Sequence, residues 1–419
     1  MDMRRIAIIG AGQAGLVLGI GLRQHGYAVT VVAERHRNDV RSGRLISNQC
    51  VFAPALARER ALGINFWDGQ APPIRYVSFG ADGGPGAKRP DIAFQAVFER
   101  PAQSVDQRVK VADWMAEFER LGGKIHYQRV APDDLEGYAA EFELVLVAAG
   151  RGPQFDTLFP RDPEFSPYRE PQRAIGVIYV RGSDPAAADR LTFGMGPAGE
   201  FFSLPVWSVT GQVQGIGLFG IPGGPLDVWD GVTDVEQHLD IARNLVRTHY
   251  PWNASHLDDA EPTTELDLLH GRILPVVRQP VGRLRTGALV LAMGDTAVTN
   301  DPVAGQGANL AAHAALTYQE AILEHGDRPF DEGFMRGAFA RYWQRARHAT
   351  RFSNDLLAPP KDWVMATFSA AQTMPEVAQR FARIFEDPAD YSRWLADETA
   401  ALDYLAAAAA RAEGEEQPV

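Results

Sequence analysis

Arg5-Ile6-Ala7-Ile8-Ile9-Gly10-Ala11-Gly12-Gln13-Ala14-Gly15 is the stretch that decides the fold. Arg5 to Ile9 is a short run of β-type residues, and the glycine cluster follows at once. From Leu16 to Gly26 the chain carries Leu16, Leu18, Ile20 and Leu22 among small residues, the pattern of a helix that Gly26 stops. Ala28-Val29-Thr30-Val31-Val32 reads as a second strand, with Glu34 just past its end, 24 residues after Gly10. Strand, tight turn, helix and strand make a βαβ half-unit. In such a unit Gly10 allows the turn, Gly12 lets the backbone approach a pyrophosphate, and Gly15 permits close packing of helix on strand. The helix N-terminus offers unpaired N–H groups to phosphates. Glu34 suits the two hydroxyls of an adenosine ribose and disfavours a 2′-phosphate, so NADP is not expected here.

A second element lies far along the chain. Ala288 to Met293 reads as a buried strand ending in Gly294-Asp295, and a Pro/Gly loop then opens a helix from about Gln306 to His325. An acid at a strand's carboxyl end can hold ribityl or phosphate-linked hydroxyls. A glycine-rich helix start can face a flavin ring and stabilise negative charge on it.

Between these elements, residues 36–105 read as short strands and loops with Pro72-Pro73 and Gly83-Gly84-Pro85-Gly86 clusters. Val109 to Gly122 reads as a helix and Phe142 to Gly150 as an apolar strand. From 173 to 290 the texture is β-rich, with strands at 175–180 and 213–219 and a helix near 234–249. Residues 331–410 read as helices broken at Pro359-Pro360 and Pro388, and the tail is expected to fray.

Composition narrows the function. A chain of 419 residues suggests two or three domains or one large α/β body. The net charge of −12 argues against nucleic acid or an anionic membrane as partner. One cysteine, Cys50, excludes an internal disulfide and a cysteine-only metal site, and fits a cytoplasmic location. The ten histidines show no ligand spacing, so no metal site is expected. The apolar run before Gly10 is four residues, too short for a signal peptide, and no run reads as a transmembrane helix. Ser203 and Ser208 lie in no nucleophile elbow.

The N-terminal fingerprint, Gly294-Asp295 and the loop Asp301-Pro302-Val303-Ala304-Gly305-Gln306-Gly307-Ala308-Asn309 together resemble the FAD-dependent monooxygenases. Within them the chain resembles the two-component styrene/indole monooxygenases. Ser42-Gly43-Arg44-Leu45, Ala102 to Arg108 and Leu266 to Gly271 also carry this likeness. It implies an α/β fold with a Rossmann-like FAD-binding domain of the glutathione-reductase type, hydroxybenzoate-hydroxylase-like, built from 1–48, 90–172 and 285–330. A β-rich substrate-binding domain would occupy 49–89 and 173–284, a helical region 331–410 and a frayed tail 411–419.

The resemblance places FAD against Gly10, Ala11, Gly12, Gln13, Ala14, Gly15, Glu34, Arg35, Arg44, Leu45, Arg108, Val130, Ala149, Gly150, Gly294, Asp295, Pro302, Gly305, Gln306, Gly307, Ala308 and Asn309. It places substrate against Ser47, Gln49, Val51, Ile74, Val77 and Ala102, a set closer to indole-type than to styrene-type members. Ser47, Gln49 and Val51 alternate as on one face of a strand. The implied chemistry is epoxidation of the indole C2=C3 bond by a flavin C4a-hydroperoxide, giving indoxyl and indigo, with styrene and aryl sulfides as side substrates. The cofactor carries the reactive oxygen, so no catalytic side chain is named, and His270 and His313 have no assigned role. The implied partners are an NADH-dependent flavin reductase, a small aromatic substrate and O2; a homodimer is allowed. Styrene as main substrate, a single-component NAD(P)H-dependent hydroxylase and a non-catalytic FAD-binding protein stay open as alternatives.

Overall fold

The computed structural model describes residues 4–81 and 87–415. The Gly83–Gly86 cluster and the last residues of the tail lie outside the described residues.

The first strand, Arg5–Ile9, has a parallel neighbour on each side, Ala28–Ala33 and Leu144–Val147. Lys124–Tyr127 extends the sheet beyond Ala28–Ala33. Leu289–Ala292 adds a parallel strand beside Leu144–Val147, and Val281–Arg283 closes that edge antiparallel. Ile6, Ala7, Ile8, Leu146 and Val147 are wholly buried, as in a parallel sheet covered on both faces. Helices Gln13–Gln24, Gln107–Arg120 and Gly307–His325 supply cover. The chain runs outward on one side of Arg5–Ile9 and later returns on the other. The strand order therefore reverses there, and a crevice opens beyond the carboxyl ends of the strands.

The second sheet has eight strands. Ala174–Arg181, Gly211–Gly220, Gly199–Ser208, Arg190–Gly196, Pro73–Ala81 and Ile92–Gln103 follow one another, with Glu261–Pro262 and Leu268–Arg272 both against Ala174–Arg181. Helix Val235–His249 covers one face, packing Leu239, Ala242 and Val246 with Ile178, Val180, Ile216 and Leu218. Helices Asp362–Ala371 and Pro375–Glu386 cover the strands at the other end, where Phe368 lies 4.5 Å from Phe79 and Phe381 5.6 Å from Phe94, ring centre to ring centre.

Several expectations change. Residues 36–105 are not short strands and loops: they hold helices Arg37–Arg41 and Ala53–Ala61 and the long strands Pro73–Ala81 and Ile92–Gln103. Ile92–Gln103, expected inside the cofactor-binding segment from residue 90, joins the second sheet, because Ile92, Phe94, Ala96 and Phe98 turn one face toward the C-terminal helices. Val281–Arg283, expected with the second domain, edges the first sheet. The last helix runs from Glu398 to Glu415, so the tail is helical past residue 411. Pro359-Pro360 does separate two helices, and Pro388 starts helix Pro388–Arg393, where its missing N–H costs nothing.

Helix Ala53–Ala61 is tied to Gln107–Arg120 by an ion pair between Glu59 and Lys110, both almost wholly buried. Lys110 also stands 5.1 Å over the Trp114 ring. Breaking a buried pair on one side leaves an uncompensated charge, whereas removing both charges is far less costly. Lys110→Met is expected to lower stability by about 3–5 kcal/mol and Glu59→Leu/Lys110→Met to recover most of it, read from urea unfolding. Equal losses in the single and double variants would contradict this.

Candidate active site

Beyond the carboxyl ends of the first sheet lies a cavity of about 990 Å³, closed on its far side by the second sheet. That is the upper end of the roughly 300–1,000 Å³ usual for ligand sites.

The glycine turn forms one wall. Gly10 has φ +122°, and a Cβ there would stand 2.1 Å from the Ala148 carbonyl oxygen. A Cβ on Gly15 would stand 2.1 Å from the Gly10 carbonyl oxygen. A Cβ on Gly12 would meet nothing within 4 Å: it would project into open space at the N-terminus of helix Gln13–Gln24. The first two glycines thus serve the fold, and the third leaves room. Gly12 is also the helix N-cap and makes no side-chain cap, so first-turn N–H groups stay available.

A second helix N-terminus faces the same space. Asp301 caps the turn Pro302–Ala304 by accepting from Val303 N–H at 3.0 Å, Gly305 turns the chain with φ +63°, and Gly307, Ala308 and Ala311 of the next helix line the cavity. Glu34 stands exposed at the end of its strand, with Arg129 3.8 Å away. Asp295 lies on the wall 3.7 Å from Arg151; desolvation raises its carboxyl pKa, and Arg151 and Arg278 oppose the rise.

Of the residues named from the sequence, Gly10, Ala11, Gly12, Gln13, Ala14, Glu34, Arg35, Val130, Ala149, Gly150, Gly294, Asp295, Pro302, Gly305, Gly307 and Ala308 line this cavity, as do Ser47 and Gln49. Others do not. Gly15 is buried behind the turn. Arg44 is exposed away from the cavity, and Leu45 is packed in the core. The Arg108 guanidinium is clasped between Asp106 and Asp267 and donates to the Gly43 carbonyl at 3.1 Å. Gln306 donates to the Phe385 carbonyl at 3.1 Å. Asn309 binds the backbone of Cys50 and Phe52, each at 2.9 Å. Val51 packs with Leu56 and Ala312, while Ile74, Val77 and Ala102 are buried in the core under the second sheet. The strict alternation expected for 47–51 is absent too: residues 46–49 are irregular, and all four line the cavity.

Sequence reading missed the wall that the second sheet provides. Ile175, Val177, Phe219 and Leu269 face the cavity, together with Asn48 and Gln107. For Ile175, Val177 and Phe219 the only signal is that 175–180 and 216–219 are continuous apolar or small-residue runs. His270 lies at the cavity edge. His313 sits beside a small crevice behind Gln306, where burial lowers its pKa to about 3. Among the described residues there is no cluster of three metal-ligating side chains, and no helix is long and apolar enough to cross a membrane.

Fold and site together define an FAD-binding, Rossmann-like flavoprotein. Flavin-dependent brominase Bmp2 superposes with a TM-score of 0.67 at 15% identity, over 91% of this chain and 92% of that one. p-Nitrophenol 4-monooxygenase PnpA from Pseudomonas putida DLL-E4 gives 0.63 at 13% identity, over 92% and 98%. At these identities the likeness is one of fold. Sequence narrows it further. The chain is 32% identical to styrene monooxygenase StyA of Pseudomonas fluorescens over 92% of its own length and 93% of the other's, and 32% identical to a StyA of a Pseudomonas species over 94% and 91%. Residues 150–256 match the family described as "Styrene monooxygenase A putative substrate binding domain". The chain belongs to the styrene monooxygenase family and is an FAD-dependent monooxygenase.

The residues present fit FAD. The open cradle at Gly12, two helix N-termini aimed at one space and a carboxylate at a strand end are what a long dianionic cofactor with ribose hydroxyls requires.

Asp301 gives the site a pH signature. It is fully buried, its Oδ2 has no partner, and desolvation raises its pKa from 3.8 to about 7, with Arg173 opposing and Glu200 adding to the rise. Between about pH 4 and 7 the folded protein keeps a proton that the unfolded chain releases, so this group's contribution to stability falls as pH rises through that window. Asp301→Asn keeps the acceptor for Val303 N–H and removes the buried charge. It is expected to raise Tm at pH 8 relative to the parent and to change little at pH 5. An identical shift at both pH values would contradict this.

Proposed function

We propose that this chain is the oxygenase component of a two-component system, working in the cytoplasm with an NADH-dependent flavin reductase, and that it epoxidises small aromatic alkenes, indole first. The observation that carries this is one cavity in which the dinucleotide cradle and an apolar wall with Ser47 and Gln49 face each other. Reduced FAD bound there supplies the two electrons with which O2 is divided between the substrate's double bond and water.

The chain's own groups bind and orient. The Gly10–Gly15 turn and the N-terminus of helix Gln13–Gln24 hold the pyrophosphate, and Glu34 holds the adenosine ribose. Asp295 takes hydroxyls of the chain leading to the flavin. Gly305, Gly307 and Ala308 bring a positive helix end to the ring. Ile175, Val177, Phe219 and Leu269 exclude water, which protects the reactive oxygen from loss as peroxide. Ile74, Val77 and Ala102 belong to the packed core of which Ile175, Val177 and Phe219 are part, and Val51 packs apart from it with Leu56 and Ala312. Arg108 and Asn309 hold the loop 43–52 in place.

Styrene as main substrate is the second reading, favoured by the names of the two related proteins. Aerobic turnover with FAD, NADH and a generic flavin reductase, offering indole and styrene in parallel, decides between them. Blue pigment from indole in excess of styrene oxide is expected. Dominant styrene oxide would overturn the indole assignment, and peroxide alone would overturn both.

The glycines separate folding from binding. Gly12→Ala is expected to fold with an unchanged Tm but to bind FAD roughly tenfold more weakly or worse, by fluorescence titration, because its methyl group fills the phosphate cradle. Gly10→Ala is expected not to fold. Wild-type affinity in Gly12→Ala would contradict the cradle.

A further inference from the structure

The polarity of the wall at 47–49 is set by groups outside it. The Gln49 Nε2 donates to the Val105 carbonyl at 2.7 Å. A carbonyl can only accept, so this contact fixes which end of the amide is which. The Gln49 Oε1 is thereby turned to Gln13, whose Nε2 donates to it at 2.6 Å, and one lone pair remains. The Ser47 hydroxyl donates its only proton to the Gln107 Oε1 at 2.7 Å, which leaves Ser47 able only to accept. The Asn48 Oδ1 is buried and accepts from nothing, lying against Gly215 of the second sheet. Ser47 and Gln49 therefore each present an acceptor oxygen on the cavity wall, while the Asn48 Oδ1 is covered by the second sheet. An unpaired acceptor is costly once water is excluded, and a ligand N–H or O–H relieves that cost.

We propose that Gln107 is a positioning residue that turns Ser47 into an acceptor and that, with the Val105 carbonyl holding Gln49 as a second acceptor, the site selects aromatic substrates carrying an N–H or O–H donor over isosteres that lack one. This rests on the reading that the cavity takes a small aromatic alkene. It adds to that reading a physical basis for discrimination. Gln13 is the first residue of the helix whose N-terminus faces the phosphate cradle, and its side chain reaches the substrate wall. Gln107 is half-buried at the start of its helix.

The test compares indole with indene, the same bicycle with carbon in place of N–H. Each is titrated into the holoenzyme with oxidised FAD bound, and Kd is read from the perturbed flavin spectrum, so no turnover is needed. Turnover of both compounds is measured separately. Indole is expected to bind about tenfold more tightly than indene, the order of one hydrogen bond. Gln107→Leu and Ser47→Ala are each expected to reduce that ratio to about threefold or less, with Tm and FAD content checked alongside. Gln107→Glu keeps the acceptor for the Ser47 hydroxyl and is expected to restore the ratio, which a merely structural role for Gln107 would not require. Equal affinities in the parent, or an unchanged ratio in both variants, would overturn the inference while turnover of both bicycles left the proposed function standing. Failure of both compounds to bind and react would overturn the proposed function and the inference with it.

Discussion

The chain can leave its first strand and enter its first helix only because Gly10 has no side chain. The backbone there is left-handed, its N–H is bound to the Val32 carbonyl at 2.9 Å, and the Ala148 carbonyl occupies the place a methyl group would need. Three strand ends converge on this point. Ala148 N–H binds the Ile9 carbonyl, and Met293 N–H binds the Val147 carbonyl, both at 2.8 Å. A Cβ on Gly294 would already touch the Ala14 methyl at 3.0 Å. The close approach of these backbones brings a helix N-terminus, two strand-end acids and a glycine-rich loop around one space.

A dinucleotide cradle on its own would be open to water. The second sheet closes it, and buried polar clamps hold the two halves together. The Asp106–Arg108–Asp267 triad joins a helix on the first sheet to the segment entering strand Leu268–Arg272. Arg173 pairs with Glu200 at 2.7 Å and reaches carbonyls at the end of helix Glu332–Leu356, and its charge acts on Asp301 at the mouth of the ring-side loop. Buried charges cost free energy unless fully paired, so their worth lies in fixing how the parts meet. The irregular residues 46–49 sit between both halves, bonded to Gln13 of the first and taking their polarity from Gln107 at the start of its helix and Val105 just before it.

The first βαβ unit, the strand Leu289–Ala292 and the helix after Gly305 are legible in the sequence because each carries its own local signal, a continuous apolar run followed by glycines that a helix start or turn demands. Helix Ala53–Ala61 is not legible, since one of its buried positions is Glu59, whose partner Lys110 is 51 residues away. Strand Ile92–Gln103 alternates cleanly, yet nothing local says which sheet it joins; that depends on Phe368 and Phe381, nearly three hundred residues on. The same limit applies at the site. Arg108 lies next to Asp106 in sequence, but its second carboxylate comes from Asp267, and that distant partner turns the guanidinium away from the cavity. Ile74, Val77 and Ala102 are apolar either way, and only the packing of the second sheet tells a cavity wall from a core.

The central claim is that one cavity between the two sheets holds FAD along its length and substrate at its end. A crystal structure of the chain grown with FAD and indole tests it most directly. The expected density runs from Glu34 across the Gly10–Gly15 turn, past Asp295 to Gly305–Ala308, with the aromatic between the flavin and Ser47–Gln49. Flavin density outside this cavity, or an aromatic bound away from Ser47 and Gln49 behind Ile74 and Val77, would contradict it.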